Sequence, residues 1–161
     1  MPEKRENPRY YGMFKHVDKD GGYALWLPTG WYRFNMTDGH HGVIYSPYSD
    51  RYDTSFSAEK HQLEYPVTEE DVPTLREGFS AGLAALPGAE VESQDETVTP
   101  TLITLEARFT FLEGEARRKR WVRTVYWGDG QLVLIAQGAN PEEFAYWLPM
   151  FYNTMMTVEI D

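Results

Sequence analysis

The sequence contains no cysteine among its 161 residues. This absence excludes disulfide bonds, thiol nucleophiles, thiolate metal sites and iron–sulfur clusters together. It is typical of proteins that work in a reducing compartment, and we therefore expect a cytoplasmic location.

Long apolar runs and a surplus of positive charge are also missing. No apolar stretch approaches the roughly 20 residues that a membrane helix needs, and the first residues (MPEKRENP) lack the apolar segment of a secretory signal. The formal net charge is −10, whereas binding to a phosphate backbone requires an electropositive face. We therefore expect no membrane insertion and no nucleic-acid partner.

Motifs for cofactors and catalysis are absent apart from one weak match. The sequence has no P-loop, dinucleotide fingerprint or kinase motif, so we expect no cofactor. Residues 78–82 (GFSAG) match the G-x-S-x-G pattern of serine hydrolases, but they lie inside a predicted helix, whereas that nucleophile follows a strand. All four histidines also precede Ser80. We therefore predict that the protein is not an enzyme.

Two segments resemble metal-binding loops. Asp38, His40 and His41 form a small cluster, but adjacent histidines on an extended segment point to opposite faces and zinc needs three or four protein ligands. Residues 18–22 (DKDGG) resemble the start of a calcium loop, yet the sixth loop position, which requires glycine, is a tyrosine. We predict a turn at each segment and no metal.

Aromatic residues are abundant, at 15% of the chain. Two stretches place large apolar residues around a proline: residues 23–31 (YALWLPTGW) and residues 144–151 (FAYWLPMF). Buried rings contribute large apolar area, so a well-formed core is expected. The length predicts a single domain over residues 13–161. Residues 1–12 are polar and contain proline, and we expect them to form a flexible N-terminal arm.

The hydrophobic pattern predicts two blocks of strands, each followed by a helix. The first block has strands at residues 23–27, 31–36, 42–45 and 54–63, with a short leading strand at 13–17. The second block has strands at residues 89–98, 103–111, 117–127 and 132–136, of which the first is polar and suits an edge and the last is apolar on both faces and suits the centre.

Helices are predicted at residues 68–86 and 140–155, each with one apolar face. A short terminal strand is expected at residues 158–160. The connections within each block are short, which requires mostly antiparallel pairing. The sequence therefore predicts an α+β fold of order ββββ-α-ββββ-α, with an antiparallel sheet of about 6–8 strands and two main helices packed on it.

Three segments resemble the PsbP-like superfamily, whose fold is shared by the photosystem protein PsbP, the Ran-release factor Mog and uncharacterised bacterial domains. They are the strand and turn at residues 23–31, the helix end at 86–88 (LPG) and the closing helix at 141–151 (PEEFAYWLPMF). The resemblance implies an α/β/α sandwich and a non-catalytic binding or scaffold module. It identifies no site residues, because the matched positions are core and turn positions.

A run of basic residues gives the strongest local charge signal. Five side chains lie within the predicted strand 117–127: Arg117, Arg118, Lys119, Arg120 and Arg123. They form either a basic stripe for an acidic partner or one half of cross-strand pairs with acids such as Glu106 and Glu113. The pairing alternative is favoured, because acids outnumber bases in the chain.

Tyr45, Tyr48 and Tyr52 lie in or beside a predicted loop. Tyrosines on loops bury large area at low entropic cost and are good contact residues, but they equally serve to cover a core. Together with the basic strand they form the candidate interaction surface.

These features predict a non-catalytic binding or scaffold domain that engages a protein partner. The alternative is a small-molecule-binding protein or enzyme that uses a cleft between sheet and helix. A homodimer through an edge strand is a third arrangement that the sequence leaves open.

Overall fold

The computed structural model describes residues 5–9, 11–37 and 39–160. Five strands come first, followed by a helix, four strands, a second helix and a short last strand. The strands are β1 (Met13–Asp18), β2 (Tyr23–Pro28), β3 (Tyr32–Asn35), β4 (Gly42–Ser46), β5 (Ser55–Gln62), β6 (Glu90–Val98), β7 (Ile103–Glu113), β8 (Ala116–Trp127), β9 (Gly130–Gly138) and β10 (Glu159–Ile160). The helices are α1 (Val72–Ala84), preceded by a 3-10 turn (Glu69–Asp71), and α2 (Pro141–Met156).

The strands form two antiparallel sheets. A seven-stranded sheet has the order β3-β4-β5-β9-β8-β7-β6, and a three-stranded sheet has the order β1-β2-β10. The polar strand β6 lies at an edge and β9 lies at the centre, which confirms both sequence predictions. The smaller sheet was not predicted, because β10 has only two residues and pairs with a strand more than 130 positions earlier.

The two helices cover opposite faces of the seven-stranded sheet. On one side, which we call the α1 face, Phe79 and Leu83 of α1 pack against Phe109 and Val122. The other side is the α2 face, where α2 and the smaller sheet pack around Trp121. Neighbouring residues of a strand point to opposite faces, so Trp121 and Val122 place the helices on opposite sides. This layering confirms the predicted α+β sandwich.

The largest core lies under α2. Three side chains of α2, Phe144, Phe151 and Met155, are at most 1% exposed. They pack in this core together with Leu25 and Leu134. The helix begins where the sequence predicts, because the Asn140 side chain accepts a hydrogen bond of 2.8 Å from the Glu143 backbone N–H.

Part of the expected N-terminal arm can be placed. Residues 1–4 and Tyr10 lie outside the described residues. Arg5 contacts the first turn of α2 through its side chain, with Nη1 2.7 Å from Glu143 Oε1. The arm is therefore attached to the domain at this residue.

Candidate functional site

The basic side chains of β8 divide between the two faces of the sheet. Three of them lie on the α2 face and form ion pairs of 2.8–4.0 Å: Arg117 with Glu90, Lys119 with Glu92 and Arg123 with Glu106. Each of the three is also at most 35% exposed. These three residues therefore follow the pairing alternative and do not form a free basic stripe.

Arg118 and Arg120 lie on the α1 face. Arg118 Nη1 donates to the Ala139 carbonyl oxygen at 2.9 Å and lies 3.7 Å from Asp53 Oδ2. Arg118 Nη2 lies 3.5 Å from Glu113 Oε1, which is the acid that the sequence suggested. Arg120 differs from the other four, because no carboxylate within the described residues pairs with it.

The three tyrosines have three different environments. Tyr45 is only 5% exposed, and its hydroxyl lies 3.2 Å from His16 Nδ1. This burial does not fit a place on an interaction surface, because Tyr45 shares the buried face of β4 with Val43. Tyr48 is half-buried and donates a hydrogen bond to Glu143. Tyr52 is 54% exposed and its ring packs against Phe34.

The structure brings Tyr52 and Arg120 together in one groove. The groove has a volume of about 480 Å³ and is open to solvent. It lies on the α1 face, beside the part of the sheet that α1 covers. We call it the Tyr52–Arg120 groove; its lining consists of Ile44, Arg51, Tyr52, Asp53, Ser55, Ser57, Glu113, Arg120, Ile135 and Gln137. A second depression of about 440 Å³ runs along α1 and shares Arg120 and Ile135 with it.

Arg120 is the charged group that distinguishes this groove. Its Nε donates to Gln137 Oε1 at 2.6 Å, and its guanidinium carbon lies 4.5 Å from the centre of the Phe111 ring. Its two terminal amino groups have no hydrogen-bond acceptor among the described residues. Burial lowers the pKa of Arg120, and Arg118 adds to that effect, whereas Glu113 opposes it. The guanidinium is therefore partly desolvated and incompletely paired.

Sequence reasoning missed most of the residues that surround Arg120. Gln137 holds the guanidinium through Oε1 and donates from Nε2 to the Asp53 carbonyl oxygen at 2.7 Å. Arg51 and Asp53 are next to Tyr52 in the chain, so their proximity to a candidate residue was an available signal. Gln137 gave no signal, because only the pairing of β8 with β9 places it opposite Arg120.

The two loops that resemble metal sites are turns. The Asp18 side chain and carbonyl accept hydrogen bonds from the N–H groups of Gly21 and Gly22, which confirms the predicted turn. His40 pairs with Glu59, whereas His41 Nε2 lies 2.6 Å from Asp18 Oδ2. Asp38 lies outside the described residues. Within the ranges that the structure describes, no three His, Asp or Glu side chains are placed to share a metal ion.

Protonation of His16, on the strand that leads into this turn, is expected to make the stability of the protein depend on pH. Burial lowers its pKa below the usual 6.5, the positive charge of Arg33 lowers it further, and Asp18 opposes them. A lowered folded-state pKa stabilises the fold fully above the unfolded pKa, and that contribution is lost as pH falls from about 6.5 through the folded pKa. We expect wild type to lose more unfolding free energy between about pH 7.5 and about pH 5.5 than His16→Asn does. Equal losses in urea titrations would contradict this assignment.

The serine of the G-x-S-x-G match lies inside α1. Its hydroxyl oxygen accepts a hydrogen bond of 2.7 Å from Gln94 Nε2 on β6. The backbone at Ser80 is helical on both sides, which differs from the strand-to-helix turn that a nucleophile elbow requires.

In the described ranges no helix is long and apolar enough to cross a membrane.

Comparison with known proteins identifies the architecture. No protein-family model matches the sequence, and no curated protein matches it. Solved structures do match: cyanobacterial PsbP (CyanoP) from Synechocystis sp. PCC 6803 superposes with a TM-score of 0.66 over 99% of this chain and 98% of its own, at 11% identity. The chain has the PsbP-like fold.

Two further structures with the PsbP-like fold match over most of their length. LpqN of Mycobacterium tuberculosis, described as involved in cell envelope biogenesis, has a TM-score of 0.62 and 13% identity, over 92% of this chain and 90% of its own. The Saccharomyces cerevisiae Ran-binding protein Mog1p has a TM-score of 0.54 and 8% identity, over 92% and 95%. At 8–13% identity, these similarities establish the fold only. The function has to be inferred from the residues of this chain.

Proposed function

We propose that the protein is a non-catalytic domain that binds a protein partner through the Tyr52–Arg120 groove. The observation that carries the proposal is that the incompletely paired Arg120 guanidinium lines the same groove as the exposed Tyr52 ring. Aromatic and arginine side chains contribute most often to the energetic centres of protein interfaces. Among proteins of the same fold, Mog1p is named a Ran-binding protein, which supports a role in protein binding.

The groove suits a carboxylate of the partner. A guanidinium binds a carboxylate through two parallel hydrogen bonds, and the two terminal amino groups of Arg120 are available for them. Ile44 and Ile135 add apolar surface to the lining, and the exposed Tyr52 ring belongs to the same lining. The open shape favours a segment of a protein over a small molecule, because sites for small molecules bury most of the ligand surface.

Photo-crosslinking tests where the partner binds. A benzophenone amino acid at position 52 is expected to crosslink a protein of the native host, whereas the same group at position 152 is not. Position 152 is the matched control for position 52. Tyr152 and Tyr52 are similarly exposed, at 51% and 54%, but they lie on opposite sides of the sheet. Equal crosslinking at both positions, or none at position 52, would contradict the proposal.

Arg120 is expected to dominate the affinity for that partner. Arg120→Ala should weaken binding at least about tenfold, which corresponds to roughly 1.4 kcal/mol, when measured by isothermal titration with the crosslinked protein. Arg108→Ala is the control, since Arg108 lies on the α2 face over the Trp121 ring. Tyr52→Ala should weaken binding as well, and its exposure makes it independent of folding defects. The proposal fails if both groove variants bind like wild type.

A further inference from the structure

A second charged site lies at the first turn of α2. It adjoins the Tyr52–Arg120 groove at Arg51, whose guanidinium carbon lies 4.0 Å from the centre of the Tyr48 ring. The Glu143 side chain is 19% exposed, and its carboxylate accepts hydrogen bonds from three side chains. The Tyr48 hydroxyl lies 2.9 Å from each carboxylate oxygen, Trp147 Nε1 donates to Oε2 at 2.9 Å, and Arg5 Nη1 donates to Oε1 at 2.7 Å. The ring of Tyr146 stands nearly perpendicular to that of Trp147, with centroids 4.9 Å apart. We call Tyr48, Glu143, Tyr146 and Trp147 the Glu143 cage.

Arg5 fills this cage as a ligand would. Its guanidinium carbon lies 3.5 Å from the centre of the Tyr146 ring and 5.7 Å from that of Trp147. Its Nη2 donates to the Tyr48 hydroxyl at 2.9 Å, while Nη1 binds Glu143. Aromatic faces with a nearby carboxylate form a site for a desolvated cation.

Among the neighbours of Arg5 in the chain, residues 6, 7 and 9 are exposed and Pro8 is half-buried. Glu6 and Arg9 are exposed and lie 3.7 Å from each other. Among the described residues 6–9, none donates or accepts a hydrogen bond with the rest of the domain. Within residues 5–9, the Arg5 side chain therefore makes the hydrogen bonds to the rest of the domain.

We propose that the Glu143 cage is a binding site for an arginine side chain of a protein partner, and that Arg5 occupies it in competition with that partner. Two separate acceptors, Glu143 Oε1 and the Tyr48 hydroxyl, match the two amino groups of a planar guanidinium that also stacks on Tyr146. A lysine ammonium is a point charge and does not meet this geometry. The net charge of −10 attracts a basic partner. The four members of the cage are not part of the lining of the Tyr52–Arg120 groove.

Competition by Arg5 has a measurable consequence. When a tethered group fills a site for part of the time, the apparent affinity for an external ligand equals the intrinsic affinity multiplied by the fraction of time that the site is free. Removing Arg5 is therefore expected to raise the affinity for a free arginine side chain, whereas removing a merely structural contact would only lower stability.

The test uses Arg5→Ala and the peptide acetyl-Gly-Arg-Gly-amide as the probe. Binding is followed by NMR through the Trp147 indole N–H signal, which reports on the hydrogen bond to Glu143. We expect the probe to bind Arg5→Ala at least tenfold more tightly than wild type. Addition of Glu143→Gln should weaken that binding at least tenfold, and the citrulline analogue of the peptide, which lacks the charge, should not bind.

Matched controls separate the cage from general charge effects. Arg9→Ala should bind the probe like wild type, and Glu142→Gln in the Arg5→Ala background should bind like Arg5→Ala, because both residues are exposed neighbours outside the cage. If Glu143→Gln fails to fold, Tyr146→Leu replaces it and should weaken probe binding, because the stacking surface is lost.

Three results would overturn the proposal. The first is a lack of saturable probe binding to Arg5→Ala. The second is equal binding of the citrulline peptide. The third is a concentration-dependent dimer of wild type that Arg5→Ala abolishes, since the occupant would then be the arm of a second copy.

Discussion

Phe151→Ala is expected to lower the free energy of unfolding by about 3–5 kcal/mol, the usual cost of deleting a buried ring. Phe151 is 0% exposed and lies at the centre of the core under α2. Its ring contacts Trp31 edge-to-face with centroids 6.0 Å apart, and it lies 5.7 Å from the Phe144 ring. The substitution thus removes contacts that join α2 to the turn after β2 and leaves a cavity between them.

Urea or thermal unfolding measures this cost, and the next residue supplies the control. Tyr152 is 51% exposed, and its ring stacks on Trp121 at 6.2 Å. Tyr152→Ala should therefore cost less than half as much as Phe151→Ala. The melting temperature of Phe151→Ala should fall by roughly 6–20 °C, given a shift of about 2–4 °C per kcal/mol at this size. A loss equal to that of Tyr152→Ala would show that the core does not centre on Phe151.

Periodicity in the sequence predicts most of the elements but not how they divide into sheets. The alternation along β7 and the 3.6-residue spacing in α2 are local patterns, so both elements follow from the sequence. The pairing of β2 with β10 is not local, and it forms only because α2 returns the chain to β2. The same limit applies to ranking the core: Phe151 and Trp147 share the predicted apolar face, yet Trp147 is half-buried with its indole N–H bonded to Glu143.

The candidate site was predictable in its residue types and not in its pairing. The alternation on β8 correctly places Arg118 and Arg120 on one face, and Glu106 and Glu113 were available partners. However, Lys119 pairs with Glu92 on β6, two strands away. That contact depends on the register shift between Val91 and Ser93 in β6, which no local pattern indicates.

The cage was missed for a related reason. Its four members come from the loop after β4 and the first two turns of α2, and Arg5 comes from a segment that the sequence describes only as polar. Proximity of these three segments is set by the packing of α2. The sequence does indicate that Tyr48 lies on a loop and that Glu143 lies at the first helical turn, but the contact between them is tertiary.

Gly138→Ala is expected to destabilise the protein by about 3 kcal/mol or more, at the upper end of the cost of overpacking. A Cβ atom at Gly138 would lie 2.3 Å from the backbone nitrogen of Phe144 and 2.6 Å from its Cα. Both atoms belong to the first turn of α2, so a rotamer change cannot relieve the clash and the helix must move away from β9. The need for glycine here comes from the close approach of two backbones.

Gly130→Ala is the matched control, because Gly130 begins the strand that Gly138 ends. The nearest atom to a Cβ at Gly130 is the Lys60 Cε at 2.8 Å, which lies near the end of a flexible side chain. Gly130 is also buried, and the nearest backbone atom to its added Cβ is the Trp127 carbonyl oxygen at 3.3 Å. Because the Lys60 side chain can move away, this variant should cost clearly less than Gly138→Ala. Displacement of the first turn of α2 should also move Glu143 away from Tyr48, so Gly138→Ala should shift the Trp147 indole N–H signal, whereas Gly130→Ala should leave it in place. If the two variants are equally stable, the first turn of α2 does not pack against Gly138 closely enough for an added Cβ to clash with the Phe144 backbone nitrogen.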